Sequence, residues 1–244
     1  MQKALSYVRR GVDTYNMIQE NDHVTVGVSG GKDSMVLLVT LARLREFYPR
    51  PFKLSAVTLD LGYKDMDYSP IARLCEEIGV EYHIKKTDIR EIVFDIRKES
   101  NPCALCAKMR RGALHDAALE IGSRTVALGH HNDDVINTFL LSLIYEGRVG
   151  CFSPVTYLDR KGITLIRPMI YMPETYSAGL AKRFDLPIVK NSCPADGNTK
   201  RQYIKELVVL LEKENPGFKK RAFTAIVNGN VGGFGQRADG SAII

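Results

Sequence analysis

Val24–Leu38 reads VTVGVSGGKDSMVLL, and this stretch decides the fold. His23–Val28 is a short β-branched run with the composition of a buried strand. Ser29-Gly30-Gly31 makes a turn, and Met35–Phe47 (MVLLVTLARLREF) is apolar enough for a buried helix, stopped by Pro49 and Pro51. A strand, a glycine turn and a helix opening on Lys32 form a cradle for phosphate. Glycines let the backbone approach the anion, and the free amides of the helix N-terminus face it with the dipole behind them. Lys32 adds a point charge, the Ser29 and Ser34 hydroxyls can donate, and Asp33 can hold a Mg²⁺ bridging the same oxygens. A Walker A loop is excluded, because Asp33 stands where Ser or Thr must follow the lysine. The dinucleotide fingerprint is excluded by the glycine spacing. The plain alternative, a glycine turn with incidental polar residues, sits poorly with a contiguous Ser29–Ser34 set in this context.

Outward from the loop, strands and helices alternate. Lys53–Leu59, Glu81–Lys86 and Thr125–Leu128 read as strands; Ser69–Gly79, Ile89–Lys98, Lys108–Ile121 and Asp134–Tyr145 read as helices. This spacing predicts βαβ units: an α/β fold with a parallel twisted sheet and helices on both faces. An amphipathic helix precedes it, with Leu5, Val8, Val12, Tyr15 and Ile18 at helical spacing. Later, Pro154–Leu158 and Gly162–Ile166 suggest a hairpin, Pro173–Phe184 a helix, Leu186–Val189 a last strand, and Thr199–Glu214 a helix. The expected organisation is an N-terminal helix over 1–22, a nucleotide-binding domain over 23–190, a cysteine loop with helices over 191–227, and a glycine-rich tail over 228–244. The tail shows no period and is expected to be poorly ordered or partner-dependent.

The chain has 244 residues, 45% hydrophobic and 25% charged, with a formal net charge of +6, the balance of a globular protein that favours polyanionic partners. No apolar run approaches the roughly 20 residues of a membrane helix, so a cytoplasmic protein is expected. Basic residues come in small groups, among them Lys108/Arg110/Arg111, Lys200/Arg201 and Lys219/Lys220/Arg221; any one of these alone reads as a solvated helix face.

Five cysteines and no secretory signal argue against a disulfide scaffold and for metal or redox chemistry. Cys103 and Cys106 are spaced to ligate one metal, beside cations that favour the thiolate. Zinc, an iron–sulfur cluster and a redox pair all remain open for a lone Cys-x-x-Cys. Cys193, in NSCPADG, is the candidate third ligand, while Cys75 reads as core and Cys151 as structural. Three thiols and one vacant position suit a [4Fe–4S] cluster with an open iron better than a closed zinc site. A further strand-to-helix junction, Ala127–Asp134 (ALGHHNDD), offers Asp133 to the chemistry, with Gly129 and His130 placed to contact the nucleotide; His131 reads as structural and Asp134 as a helix cap.

SGGKDS at the end of a first strand resembles the PP-loop of the ATP-pyrophosphatase superfamily, which cleaves ATP between the α and β phosphates. With CALCAKMRRGAL, ALGHHNDD and the late Cys193, the chain resembles the iron–sulfur tRNA 2-thiocytidine synthetases (TtcA) over roughly residues 20–225. The resemblance implies ATP held by Ser29, Gly30, Gly31, Lys32, Asp33, Ser34, Thr58, Leu59, Asp60, Arg111, Gly129 and His130. It implies Lys32, Asp33, Arg110 and Asp133 in catalysis, Mg²⁺ on Asp33, and Cys103, Cys106 and Cys193 as [4Fe–4S] ligands. It further implies a tRNA substrate thiolated at an anticodon-loop cytidine, a sulfur donor (a persulfide carrier or sulfide) and a homodimer. NSCPADGN and the ending NGNVGGFGQ depart from the family's pattern. The rival readings are the same adenylylation on another tRNA base or on a small molecule, and a non-catalytic ATP or iron–sulfur sensor.

Overall fold

The computed structural model describes residues 1–98, 102–189, 193, 199–237 and 239–243. Its centre is a sheet of six strands in the order β3-β2-β1-β4-β6-β5. The strands are β1 (His23–Gly27), β2 (Lys53–Asp60), β3 (Glu81–Lys86), β4 (Thr125–Ala127), β5 (Val155–Leu158) and β6 (Ile163–Ile166). All neighbours run parallel except β5, which pairs antiparallel with β6 through the hairpin that the sequence suggests. After β1 the chain moves outward to β2 and β3, then returns to the other side of β1 as β4. The carboxyl ends of β1 and β4 are therefore a topological switch point, where open α/β sheets bind ligands.

Alternation along the strands places helices on both faces. Val24, Val26, Leu54 and Ala56 pack with α1 (Gln2–Thr14), α2 (Lys32–Arg45) and α3 (Ser69–Glu77) in the main core. The other face takes α4 (Pro102–Glu120), whose Leu114, Ala118 and Leu119 pack with Val126 and Leu165. Gly27 is the point of closest approach: a Cβ there would lie 2.8 Å from Leu114 Cδ2. α5 (Asn132–Tyr145), α6 (Glu174–Arg183), α7 (Lys200–Glu214) and α8 (Phe218–Asn228) complete the fold. α7 and α8 close over α5 through Ile136, Ile204, Val208 and Phe218.

Several expectations change. The helix expected from Lys108 begins at Pro102, so Cys103 and Cys106 ride on its first turns instead of a preceding loop. Proline at N1 costs that helix nothing, because the amide it lacks has no intrahelical partner. Ile89–Lys98 is helical as expected, but from Glu91 to Arg97 it is a π-helix, closed by Lys98 at φ +46°. Leu186–Val189 is not a strand among the described residues; its Val189 amide bonds instead to the Gly30 carbonyl at 3.0 Å. α8 carries no distinct signal in the sequence reading. The tail does not float: Phe234 is fully buried between Tyr15 and Phe223, and its carbonyl accepts from the Tyr15 hydroxyl at 2.9 Å. One aromatic ring supplies the burial that the glycines around it cannot.

Candidate functional site

The phosphate loop is built by its own hydroxyls. Ser34 Oγ donates to the Gly31 carbonyl at 2.9 Å and accepts from the Ser29 amide at 3.2 Å. Ser29 Oγ accepts from the Gly31 amide at 3.3 Å. Gly30 turns at φ +80°, which L-residues resist, and Gly31 caps α2 in extended conformation. The amides at the start of α2 therefore face the turn, where a helix N-terminus can hold an anion. Gly129 lets the β4–α5 junction lie directly against α2: a Cβ would sit 3.0–3.1 Å from Asp33 C, Asp33 O and Ser34 N.

Charges converge on this junction, and their hub is Glu174, in the first turn of α6. Lys32 Nζ donates to Asp33 Oδ2 at 2.7 Å and to Glu174 Oε1 at 3.0 Å. Lys205, from α7, donates to the same Glu174 oxygen at 3.1 Å. Burial alone would raise the Glu174 carboxyl, but the two ammonium groups outweigh it and hold the acid down to about 2. Lys32 is desolvated as well, yet Asp33 and Glu174 raise its pKa and keep it charged. Asp33 Oδ1 accepts from Ser177 Oγ at 2.6 Å. Glu174, Ser177 and Lys205 enter the site only through the packing of α6 and α7. For Glu174 alone a signal existed: it opens a helix after a strand at the carboxyl edge.

His131 and Asp134 form a reciprocal cap on α5, as expected for both. His131 Nδ1 accepts from the Asp134 amide at 3.3 Å, and Asp134 Oδ2 accepts from the His131 amide at 3.1 Å. With Nδ1 accepting, the neutral ring carries its proton on Nε2. Nε2 faces Asp33 Oδ2 at 3.7 Å and Glu174 Oε1 at 3.9 Å. Asp33, His131 and Glu174 thus offer atoms within 4.8 Å of one another, the separation of a cation site. The cap makes His131 a donor to that space, leaving the Asp33 and Glu174 carboxylates as the oxygen ligands a hard cation prefers. Asp133 is buried beside this space: Lys219, from α8, donates to Oδ1 at 2.6 Å and the Glu174 amide to Oδ2 at 2.7 Å. Both oxygens are engaged, so Asp133 pins the start of α6, and with it the hub.

The other residues expected around ATP fall into place unevenly. Thr58 is buried and donates to the Val28 carbonyl at 3.0 Å, fixing the strand end where Leu59 and Asp60 emerge. The His130 ring packs on Phe152, with centroids 4.9 Å apart; burial, reinforced by Arg167, pushes its pKa down to about 4, so it is neutral. Arg111 is exposed and returns to its own helix at the Ala107 carbonyl.

Cys106 lies near enough to Cys103 and Cys193 for each to act on its thiol. Burial raises the Cys106 thiol, Arg110 lowers it, and the neighbouring Cys193 and Cys103 raise it further. Tyr63 closes the group: burial raises its hydroxyl, as does a hydrogen bond to Cys193. Leu61, Phe94, Leu105 and Met109 make the apolar floor under Cys106 and Tyr63. The other two cysteines lie elsewhere. Cys75 is core, its thiol pushed to about 11 by burial, and the Cys151 thiol donates to the Val231 carbonyl at 3.5 Å. With Cys75 and Cys151 placed elsewhere, the candidate donor set is the three thiols the sequence names. Three thiols would leave one coordination position of a soft metal centre without a cysteine.

Comparison with known proteins bears on the family and the fold. The PP-loop domain family matches residues 5–211. The tRNA-cytidine(32) 2-sulfurtransferase of Dechloromonas aromatica is 36% identical over 234 residues, covering 93% of this chain and 82% of the relative. That of Geobacter sulfurreducens is 36% identical over 229 residues, covering 93% and 89%. Among solved structures, the U34-tRNA thiolase NcsA from Methanococcus maripaludis with its [4Fe-4S] cluster superposes with a TM-score of 0.76 at 27% identity, over 93% of this chain and 76% of that one. The NH3-dependent NAD synthetase of Campylobacter jejuni, at TM-score 0.50 and 19% identity, shares the fold alone. The chain belongs to the PP-loop family, among its tRNA-cytidine 2-sulfurtransferases.

Proposed function

We propose that this protein is an ATP-dependent tRNA sulfurtransferase that activates the C2 oxygen of an anticodon-loop cytidine by adenylylation and replaces it with sulfur. The observation that supports the reading is the glycine turn after β1 that opens α2 on Lys32, accompanied by Cys106 on α4 interacting with Cys103 and Cys193 and by Tyr63 bonded to Cys193. The named relatives support the substrate class, since they are tRNA-cytidine(32) 2-sulfurtransferases.

In this reading the cytidine oxygen attacks the α phosphorus of ATP and pyrophosphate leaves, so the oxygen becomes part of an AMP leaving group. The Ser29–Ser34 amides and Lys32 hold the departing phosphates, and Asp33 with Glu174 presents carboxylate oxygens to Mg²⁺. Catalysis is positioning and charge neutralisation, since in-line phosphoryl chemistry asks little covalent work of the protein. Thr58, Leu59 and Asp60 border the adenosine, Gly129 keeps the β4–α5 junction against the loop, and Arg110 and Arg111 flank the thiol side. Asp133 acts by holding the α6 start. Cys103, Cys106 and Cys193 would hold a [4Fe–4S] cluster, which would supply a bound sulfur nucleophile. A persulfide carrier or sulfide is the source of that sulfur, and the enzyme works as a cytoplasmic homodimer. No helix of the described residues is long and apolar enough to cross a membrane.

Mass spectrometry of tRNA nucleosides from cells with and without this protein tests the reading. Loss of 2-thiocytidine on deletion, restored by the parent chain and not by Cys193→Ser, is the expected result. Unchanged 2-thiocytidine in the deletion strain sinks it. Loss of a different thionucleoside moves the activity to another base.

A further inference from the structure

Cys103 and Cys106 share the frame of α4, whereas Cys193 belongs to a separate stretch of chain. The contact described for its thiol is a hydrogen bond with the Tyr63 hydroxyl. The ring of Tyr63 packs with Leu61, Val93, Phe94 and Met109 in the apolar group that also holds Cys106. Tyr63 therefore meets both parts of the thiol set, with its ring on the Cys106 side and its hydroxyl on Cys193. The backbone beneath it is fastened to the sheet. At the end of β2, the Asp60 carbonyl accepts from the Thr87 amide and from the Thr87 hydroxyl, each at 2.9 Å. The Leu61 carbonyl accepts from the Arg90 amide at 2.9 Å. Asp60 Oδ1 accepts from the Gly62 amide at 3.1 Å, closing a turn in which Gly62 stands at φ +83°. Arg90 also acts on the Tyr63 hydroxyl, but its guanidinium is committed to Asp95 Oδ2 at 3.0 Å. The direction of the bond to sulfur follows from the chemistry of ligation. A ligating cysteine is a thiolate with no proton to give, so the Tyr63 O–H is the donor.

We propose that Tyr63 is a positioning residue of the thiol site, whose hydroxyl donates to the Cys193 sulfur and fixes that ligand beside Cys106. The inference rests on the reading of Cys193 as a metal ligand. Hydrogen bonds from outside a ligand set orient its atoms and tune the centre they hold. With a metal centre bound, the Tyr63 donor would also draw charge from the Cys193 sulfur.

The test titrates metal-free, reduced full-length protein with Co²⁺ under anaerobic conditions, following the sulfur-to-cobalt charge-transfer absorption. Tyr63→Phe keeps the ring and its packing and removes only the donor. Losing such a partner typically costs roughly 10–100-fold in metal affinity, so Tyr63→Phe is expected to bind Co²⁺ about tenfold more weakly or worse. Its charge-transfer band is expected at longer wavelength, because a thiolate without a donor gives up charge more readily. In the Cys193→Ala background, which has no sulfur to receive the bond, Tyr63→Phe is expected to change the affinity by less than about twofold. Parent-like affinity in Tyr63→Phe overturns the proposal. A weaker affinity with the band unmoved, or a loss that persists undiminished in the Cys193→Ala background, is a packing effect and overturns it as well. The outcome separates from the functional reading. Loss of affinity in Cys193→Ala beside a parent-like Tyr63→Phe fails only this inference. Parent-like affinity and band in Cys193→Ala remove Cys193 from the ligand set, and the inference falls with that reading. A parent chain without thiolate bands removes both.

Discussion

Replacing Glu174 by Gln removes the negative end of the hub while keeping its size, and the cost can be worked from the carboxyl's titration. Against burial, Lys32 and Lys205 hold its pKa down to about 2 from the ordinary 4.5. At roughly 1.4 kcal/mol per tenfold change in the equilibrium, the difference sets an upper limit of about 3 kcal/mol on what the charged form contributes. The side chain is 28% exposed, so solvent screening reduces the expected loss to about 1–2 kcal/mol. A depressed carboxyl stabilises above its unfolded pKa, and that stability is lost as pH falls through the folded one. The difference between parent and Glu174→Gln is thus fully present at pH 7, begins to shrink near pH 4.5, and is gone by about pH 2. Urea unfolding of both proteins at pH 7, 5 and 3.5 measures it. The parent midpoint should exceed the variant's at pH 7 and 5, with the gap narrowing by pH 3.5. A variant as stable as the parent at pH 7, or a gap that widens on acidification, would refute the argument that Lys32 and Lys205 hold Glu174 ionised.

Gly30→Ala places a Cβ 2.8 Å from the Val189 carbonyl at φ +80°, a left-handed cost of about 1–2 kcal/mol before the clash. ATP affinity measured by calorimetry should fall about tenfold or more. Phe234→Ala empties a fully buried site between Tyr15 and Phe223, so a loss of about 3–5 kcal/mol in urea unfolding is expected, although the residue lies in the glycine-rich ending. Asp133→Asn leaves the Lys219 ammonium without its carboxylate and weakens the acceptor for the Glu174 amide. A loss of about 1–3 kcal/mol in stability is expected, together with slower pyrophosphate release from ATP and tRNA.

The sequence by itself determined the sheet, the phosphate loop and the identity of the thiols. Each is local: β-branched runs, a glycine turn before an apolar helix, and cysteines whose spacing lies in the chain. It also marked His131 as structural and Asp134 as a cap, although only the structure shows that the two cap α5 together, with His131 at the N-cap. What it could not reach were groups that act only after distant helices have packed. Glu174 becomes a hub because α6 starts beside α2, and Lys205 and Lys219 reach it and Asp133 because α7 and α8 close over α5. No spacing in the chain announces a lysine 31 residues from its carboxylate, or one 86 residues away. Local composition even misled at two points. Glycines suggested a loose tail where Phe234 is anchored, and the apolar Leu186–Val189 suggested a strand where the chain instead docks on Gly30. Propensity describes what a segment can do alone, whereas burial of one ring and one backbone hydrogen bond across the fold decided what these two do.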